Sequence, residues 1–304
     1  MLRPPPAARP SPEREMVTPT GRQSLLARPT PLLRLGTALL KLEVLRPGAG
    51  FDDRALPLWD ALPGGEVPAG AQAVFAASAG AALAAAGWAR ARGVKLTAFV
   101  HGALLHEVRE TLGIWRLPWE AAPSREAALA LAARRAGEGA RLLPPLDGPE
   151  AAGIFERTLG AELLRDLQEA QLSPALVVAP AGAAAALAGA VRALRPHFPG
   201  VQPVLLLPRA SGDELPELPM AASAPPIDIP GVRREAVTRA EAAQARAALA
   251  RELGLLAGHA GALAAQIARR SAVPAGSCAV ALVGSAGERE FSLDAANAAA
   301  QVPP

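Results

Sequence analysis

The sequence predicts an α/β protein in which mostly parallel sheets are covered by helices on both faces. From Pro31 onward, short apolar runs of strand type alternate with helical patterns several turns long. This alternation is typical of parallel sheets, because a crossover helix joins each strand to the next. The chain has 304 residues and is 51% hydrophobic, which is enough for a large core arranged as two lobes.

The apolar runs and their periodicity place the individual elements along the chain. Strands are predicted at Leu32–Leu35, Leu39–Val44, Ala73–Ala76, Lys95–Val100, Ile114–Leu117, Arg141–Leu143, Ala175–Ala179, Val201–Leu207 and Cys278–Val283. Helices are predicted at Arg54–Ala61, Gly80–Arg92, Leu104–Leu112, Ser124–Ala136, Pro149–Leu172, Ala183–Arg195, Arg239–Leu253 and Ala260–Arg270. Thr238 and Glu241 have the spacing of a capping box at the start of one of these helices.

Two segments lack periodicity. Residues 1–27 are rich in proline and arginine, and we expect them to form a disordered tail. Residues 207–230 are rich in proline and are predicted to be a long irregular connection.

Charge and composition exclude several classes of partner. The formal net charge is only +3, the cations are interspersed with acidic residues, and there is no tyrosine, so no nucleic-acid surface is expected. The most apolar runs are dominated by alanine and interrupted by Gly or Pro, so no membrane span is expected. Cys278 is the single cysteine, which fits a reducing compartment, and we expect a cytoplasmic protein.

Several short motifs follow one another in an order that matches a known family. They are Arg28–Leu35, Lys41–Glu43, Arg46–Arg54, Gly93–Thr97, Gly254–Gly258 and Gly287–Arg289. Together they resemble the cysteine synthase family of fold-type-II pyridoxal-phosphate enzymes. The resemblance implies a large lobe over residues 28–65 and 151–304 and a small lobe over residues 66–150. It also implies two doubly wound lobes with mostly parallel sheets.

The resemblance gives position 52 to the lysine that forms the cofactor imine, and the chain has Asp52 there. A carboxylate cannot condense with an aldehyde, since that reaction needs a primary amine. Lys41 and Lys95 are the only lysines, and each belongs to a different element of the motif pattern.

Other positions that the resemblance gives to cofactor or substrate contacts have also lost their polar side chains. The phosphate turn has become Gly182 followed by Ala183, Ala184, Ala185 and Ala186. The substrate loop has Ala77, Ser78 and Gly80, so one hydroxyl remains. Ala286 stands at the position of the serine that faces the pyridine nitrogen, with Ser285 one residue earlier.

No histidine has metal-ligand spacing, so no metal site is expected. Asp52, Asp53 and His259 form one candidate set for new acid–base chemistry in a remodelled cleft. The alternative is that Asp53 forms a structural ion pair with Arg54.

From these substitutions we expect a cysteine synthase-like pseudoenzyme with no catalytic residue and no bound pyridoxal phosphate. It would act through a protein partner, as a homodimer or a heterodimer with a related protein, or as a scaffold or regulator. The alternatives are a cofactor-independent enzyme and a module that binds a small ligand or peptide in the same cleft.

Overall fold

A computed structural model of the chain describes residues 28–48, 50–102, 104–220 and 227–300, with side chains up to residue 295. The predicted tail over residues 1–27 lies outside the described residues. The strands are β1 (Leu32–Leu35), β2 (Ala38–Leu42), β3 (Gln72–Ala77), β4 (Lys95–His101), β5 (Trp119–Ala122), β6 (Arg141–Leu142), β7 (Ser173–Pro180), β8 (Gln202–Pro208), β9 (Arg233–Val237) and β10 (Ser277–Val283). The helices are α1 (Pro57–Asp60), α2 (Ala79–Arg92), α3 (His106–Ile114), α4 (Arg125–Gly137), α5 (Pro149–Phe155), α6 (Ala161–Glu169), α7 (Ala184–Leu194), α8 (Arg239–Leu253), α9 (His259–Arg270) and α10 (Phe291–Ala300).

The strands form two sheets. One has the order β1-β2-β10-β7-β8-β9 and the other has the order β5-β4-β3-β6. Every pair of neighbours is parallel except β1 and β2, which form an antiparallel hairpin. The predicted α/β class with mostly parallel sheets is therefore confirmed. The division into lobes at residues 65 and 150 stays a prediction.

The inner strands and the edge strand β9 of the six-stranded sheet differ in burial and in sequence. β2, β7 and β10 lie inside the first sheet and consist mainly of Ala, Val and Leu, as expected for strands covered on both faces. Edge strand β9 has the sequence RREAV, and most of its residues are exposed or half-buried. Its polar sequence explains why the hydrophobic pattern did not predict it.

Two predicted elements differ most from the structure, the helix Arg54–Ala61 and the strand Ile114–Leu117. The first is α-helical only at Pro57–Asp60. The predicted strand Ile114–Leu117 is wrong. Ile114 is 77% exposed at the end of α3, and Arg116 adopts a φ of 54°, which is incompatible with the extended backbone of a strand. The predicted helix Pro149–Leu172 is helical without a break as far as Glu169, and it consists of α5, a π-helical turn at Glu156–Gly160, and α6. At this turn α7 approaches closely, since a Cβ at Gly189 would lie 2.5 Å from the backbone nitrogen of Glu156.

A buried ion cluster joins β2 and α6 to the 3₁₀ turn Phe51–Arg54 that carries residue 52. Arg54 Nε lies 2.6 Å from Glu43 Oε2, and its Nη1 lies 2.8 Å from Glu162 Oε2. Lys41 Nζ lies 2.6 Å from Glu162 Oε1 and 2.7 Å from Asp166 Oδ2. Although burial opposes it, Arg54 and Lys41 lower the pKa of Glu162 to about 2, so the cluster is ionised at neutral pH. The cluster therefore anchors the turn from behind.

Among the described residues, no helix combines the length and the apolar character needed to cross a membrane.

Candidate active site

A cavity of about 220 Å³ lies where the carboxyl ends of strands from both sheets meet. It is reached from the segments that follow β3, β4, β5, β7, β8 and β10. In open α/β sheets this is the usual place for a ligand. The ionisable side chains that line it are those of Asp52, His101, Arg125, Asp147, Glu214, Glu217, Arg289 and Glu290.

Asp52 lies in the turn Phe51–Arg54 and faces this cavity. Its Oδ2 lies 2.6 Å from the position that a Cβ of residue 80 would occupy, so the carboxylate sits against the first turn of α2. Burial, with a further contribution from the charges of Asp147 and Asp53, raises the pKa of Asp52 to about 7. The carboxyl group can therefore both gain and lose a proton near neutral pH.

The predicted substrate loop follows β3 and begins α2. Ala77 is the last, buried residue of β3, and Ser78 is the N-cap of α2, accepting a hydrogen bond from Ala81 N–H at 3.2 Å. Ser78 and Gly80 both line the cavity. Gly80 is needed for the close approach of Asp52, because any larger residue would meet its carboxylate.

The predicted phosphate turn follows β7. Residues Ala181–Ala183 form a 3₁₀ turn, and α7 begins at Ala184. The alanines at 183–186 are buried, and Gly182 lines the cavity. The Gly182 N–H donates a 2.9 Å hydrogen bond to the backbone oxygen of Glu217, which packs directly over the glycine.

Glu217 enters the site from the proline-rich connection after β8. Paired backbone hydrogen bonds between Leu215 and Leu218 close a tight turn with Glu217 near its tip. Its Oε1 lies 2.6 Å from the position that a Cβ of Gly284 would occupy, and its Oε2 is buried without a hydrogen-bond partner. Burial, together with the charges of Glu290 and Asp52, raises the pKa of Glu217 to about 8.

Ser285 and Glu290 close the opposite wall. Ser285 lines the cavity and its Oγ donates to Glu290 Oε1 at 2.9 Å. Ala286 instead forms a backbone bridge with Ala257 and is not among the lining residues.

The candidate set of Asp52, Asp53 and His259 does not converge on one point. Asp53 is buried and accepts a hydrogen bond from Gly48 N–H at 2.6 Å. His259 is fully buried, with Nδ1 2.7 Å from Glu290 Oε2 and Nε2 3.2 Å from Asp294 Oδ1. It reaches the cavity only through Glu290. The ion pairs of Arg54 are made with Glu43 and Glu162.

His101, Arg125 and Asp147 form the small-sheet side of the cavity. Arg125 Nη2 lies 3.2 Å from Asp147 Oδ1. Burial lowers the pKa of His101, while the charge of Asp147 opposes this effect. His101 is therefore mostly neutral at physiological pH and can exchange a proton with a ligand.

The sequence did not point to Glu217, Asp147 or His101 as members of this site. His101 ends a parallel strand, and that position was the only signal available. Glu217 and Asp147 lie in irregular segments whose course depends on tertiary contacts.

The fold, with a cleft at the carboxyl ends of its parallel strands, is shared by a known family of enzymes. A family model described as pyridoxal-phosphate dependent enzyme matches residues 23–284, so the chain belongs to this family. Among solved structures, a lysine-to-alanine mutant of O-ureido-L-serine synthase with O-ureido-L-serine bound is similar, with a TM-score of 0.75 and 22% identity over 93% of this chain and 98% of that one. O-ureido-L-serine synthase is also similar in a second structure, with a TM-score of 0.68 and 22% identity over 89% of this chain and 92% of that one. No curated protein sequence matches the chain.

The resemblance to fold-type-II enzymes is thus confirmed, and the functional predictions drawn from the substitutions are wrong. A pseudoenzyme that does not use pyridoxal phosphate is contradicted by membership of a family of pyridoxal-phosphate-dependent enzymes. The prediction treated the loss of the lysine as the loss of the site. The cleft instead has a cavity of about 220 Å³ that several titratable groups line.

The side chains of the cleft do not fit the lysine-linked form of the family cofactor. Lys41 is fully buried in the ion cluster, where Nζ binds Thr30 O and Asp166. Lys95 begins β4, whose other end carries His101, so a strand length of roughly 20 Å separates it from the cavity. The Gly182 N–H, which would face a phosphate, is bound to Glu217. The described cleft therefore offers the cofactor neither an amine for an imine nor a free Gly182 N–H for its phosphate.

No group of three or more potential metal ligands lies together in the described part of the chain.

Proposed function

We propose that this chain is an enzyme that transfers a proton to or from a small molecule bound in the cleft, with Asp52 as the transferring group. The observation that carries the proposal is a half-buried carboxyl group that lines the cavity, with its pKa raised to about 7. A group is most effective in general acid–base catalysis when its pKa lies near the working pH.

The position of Asp52 supports this role. The resemblance gives position 52 to a lysine, and an amine in such a cleft can both form an imine and move protons. A carboxyl group can perform only the second task. The raised pKa of Asp52 keeps a large fraction of the group protonated at pH 7, where an ordinary aspartate would be almost fully ionised.

The similar solved structures support a small ligand in the cleft. One of them is a mutant in which alanine replaces a lysine, and it has O-ureido-L-serine bound. Absence of a lysine is therefore compatible with a small ligand in a protein of this fold. The cavity of about 220 Å³ has a volume that suits a small organic molecule.

We further infer a cytoplasmic location from the single buried cysteine, whose pKa burial raises to about 11, since an unreactive thiol suits a reducing compartment. Self-association, or association with a related protein, also stays a proposal that depends on the resemblance.

The test is exchange or turnover of candidate substrates in D₂O, followed by proton NMR, with and without added pyridoxal phosphate. The panel contains small amines, amino acids and hydroxy acids. We expect deuterium incorporation or turnover of at least one compound, reduced about 100-fold or more by Asp52→Asn. Glu169→Gln, an exposed change on α6, is the matched control and should keep the activity. Unchanged activity in Asp52→Asn would exclude the proposed role.

A further inference from the structure

The charges that line the cleft are predominantly negative. Among the described lining residues, Asp52, Asp147, Glu214, Glu217 and Glu290 are acidic, whereas Arg125 and Arg289 are the cations and His101 is neutral in its main form. Arg125 is paired with Asp147, and Arg289 Nη1 donates to the backbone oxygen of Gly48 at 2.5 Å. When Asp52 and Glu217 are ionised, above about pH 8, the carboxylates outnumber the cations, and the cleft then attracts a cation and repels an anion.

Glu217 has an unsatisfied atom at this site. Its Oε2 is buried and has no hydrogen-bond partner. A buried polar atom of this kind is destabilising unless a ligand or water satisfies it. An ammonium group has three donors and a positive charge, so it matches both the missing hydrogen bond and the surrounding field.

Asp52 determines which part of a ligand can reach α2. Its carboxylate lies against Gly80 in the first turn of this helix, next to the N-cap Ser78. The start of a helix favours negative charge, and here a side chain of the protein already supplies it. A second carboxylate, carried by a ligand, would meet Asp52 at this position and be repelled.

The rest of the wall is apolar. Leu83, Leu105, Val108, Leu215 and Met220 line the cavity beside the acidic groups. A short hydrocarbon chain would bury its surface against these residues.

We propose that the cleft binds a small cationic amine with an alkyl body and without a carboxylate, with the ammonium group held between Asp52 and Glu217. The proposal deepens the proposed function and rests on it, because it names the charged group that a substrate of Asp52 would carry. The proton that Asp52 transfers would come from a C–H bond of the substrate that a second group, such as a carbonyl, makes acidic, and the leaving proton would pass to the Asp52 carboxylate. Such a ligand differs from O-ureido-L-serine, the ligand of the similar solved structure, which is an amino acid and carries a carboxylate.

The experiment is isothermal titration calorimetry of the full chain at pH 8.5 with four probes of similar size: n-butylamine, n-butanol, butyrate and L-norvaline. At this pH both carboxyl groups are largely ionised while the amine, with a pKa of about 10, is still charged. We expect n-butylamine to bind and the other three to bind at least about tenfold more weakly. Equal or tighter binding of butyrate or L-norvaline, or no binding of n-butylamine, would overturn the proposal.

Two variants locate the ammonium group. Asp52→Asn and Glu217→Gln should each weaken n-butylamine binding by about tenfold or more, and Glu169→Gln should leave it unchanged. Circular dichroism of each variant establishes that it is folded. Unchanged affinity in both cleft variants would place the amine elsewhere and overturn the proposal. Amine binding without any D₂O exchange would reject the proposed function alone, whereas exchange on a carboxylate-bearing substrate would reject the ligand class alone.

Discussion

The carboxylate of Asp52 occupies the space in which residue 80 would carry a side chain: its Oδ2 lies 2.6 Å from the position that a Cβ at Gly80 would occupy. The two residues come from different parts of the chain, the turn Phe51–Arg54 and the start of α2. Each differs from the residue type that the resemblance gives to its position. The absence of a side chain at position 80 therefore makes room for the carboxylate at position 52.

This contact predicts the outcome of Gly80→Ala. The added methyl group should push the flexible Asp52 carboxylate away from α2, while alanine itself favours the helix by about 1 kcal/mol. We expect a folded protein whose unfolding free energy changes little and whose D₂O exchange activity falls about tenfold or more. Urea unfolding and the exchange assay measure the two effects.

The control for this prediction is the same change in an Asp52→Ala background. Without the carboxylate there is no clash, so Gly80→Ala should then stabilise the chain. Equal activity of Gly80→Ala and the unmodified protein would contradict the importance of the contact.

The raised pKa values of Asp52 and Glu217 predict how stability depends on pH. The folded state binds more protons than the unfolded state between the ordinary pKa values, 3.8 and 4.5, and the folded values of about 7 and about 8. Stability therefore falls as the pH rises through this window and levels off above it. Asp52→Asn and Glu217→Gln should each be more stable than the unmodified protein at pH 8.5, by up to about 4 kcal/mol.

At pH 5 the same variants should show little of this gain, because the carboxyl groups are then protonated in the folded protein. Urea unfolding at the two pH values makes the comparison. A loss of stability at pH 8.5 in both variants would show that these carboxylates are stabilised by the fold rather than strained by it.

The absence of an amine in the cleft predicts the result of borohydride reduction with pyridoxal phosphate. In the unmodified chain no reduced cofactor should be attached within the cleft, since Asp52 cannot form an imine. Asp52→Lys places an amine at that position and should allow a reducible imine at millimolar cofactor. Peptide mapping by mass spectrometry locates any label. Stoichiometric labelling of buried Lys41 in the unmodified protein would contradict the described ion cluster.

The buried ion cluster predicts a large effect of Glu162→Gln. The change leaves Lys41 and Arg54 with less compensating negative charge in a buried place, and we expect a loss of about 3 kcal/mol at pH 7. Glu169→Gln, on the exposed face of the same helix, should change stability by less than about 0.5 kcal/mol. Urea unfolding measures the unfolding free energies of the two variants. Equal stability of the two variants would count against a structural role for the cluster.

Much of the fold could be predicted from the sequence because its signals are local. The strand Leu32–Leu35 and the helix Arg239–Leu253 have the predicted bounds, since an apolar run defines the first and a capping box begins the second. Strand β9 could not be predicted, because its polar residues lie at the edge of the sheet and its pairing with β8 depends on tertiary structure.

The same distinction applies to the cleft. Motif order indicated that position 52 belongs to the site, and Asp52 does line the cavity together with Ser78, Gly80 and Gly182. Glu217 carries no such signal, because its place results from a turn between Leu215 and Leu218 that folds over Gly182. The inference from a lost lysine to a lost function is contradicted by the family match, and the lysine position alone did not reveal the acidic groups, distant in sequence, that also line the cavity.

The most direct test of the account is an NMR titration of the chain with ¹³C-labelled aspartate carboxyl groups. We predict that one aspartate resonance titrates near pH 7, that it is absent in Asp52→Asn, and that n-butylamine shifts its midpoint to lower pH. If every aspartate carboxyl group titrates below about pH 5, Asp52 is an ordinary carboxylate and cannot be the proton-transferring group proposed for this cleft.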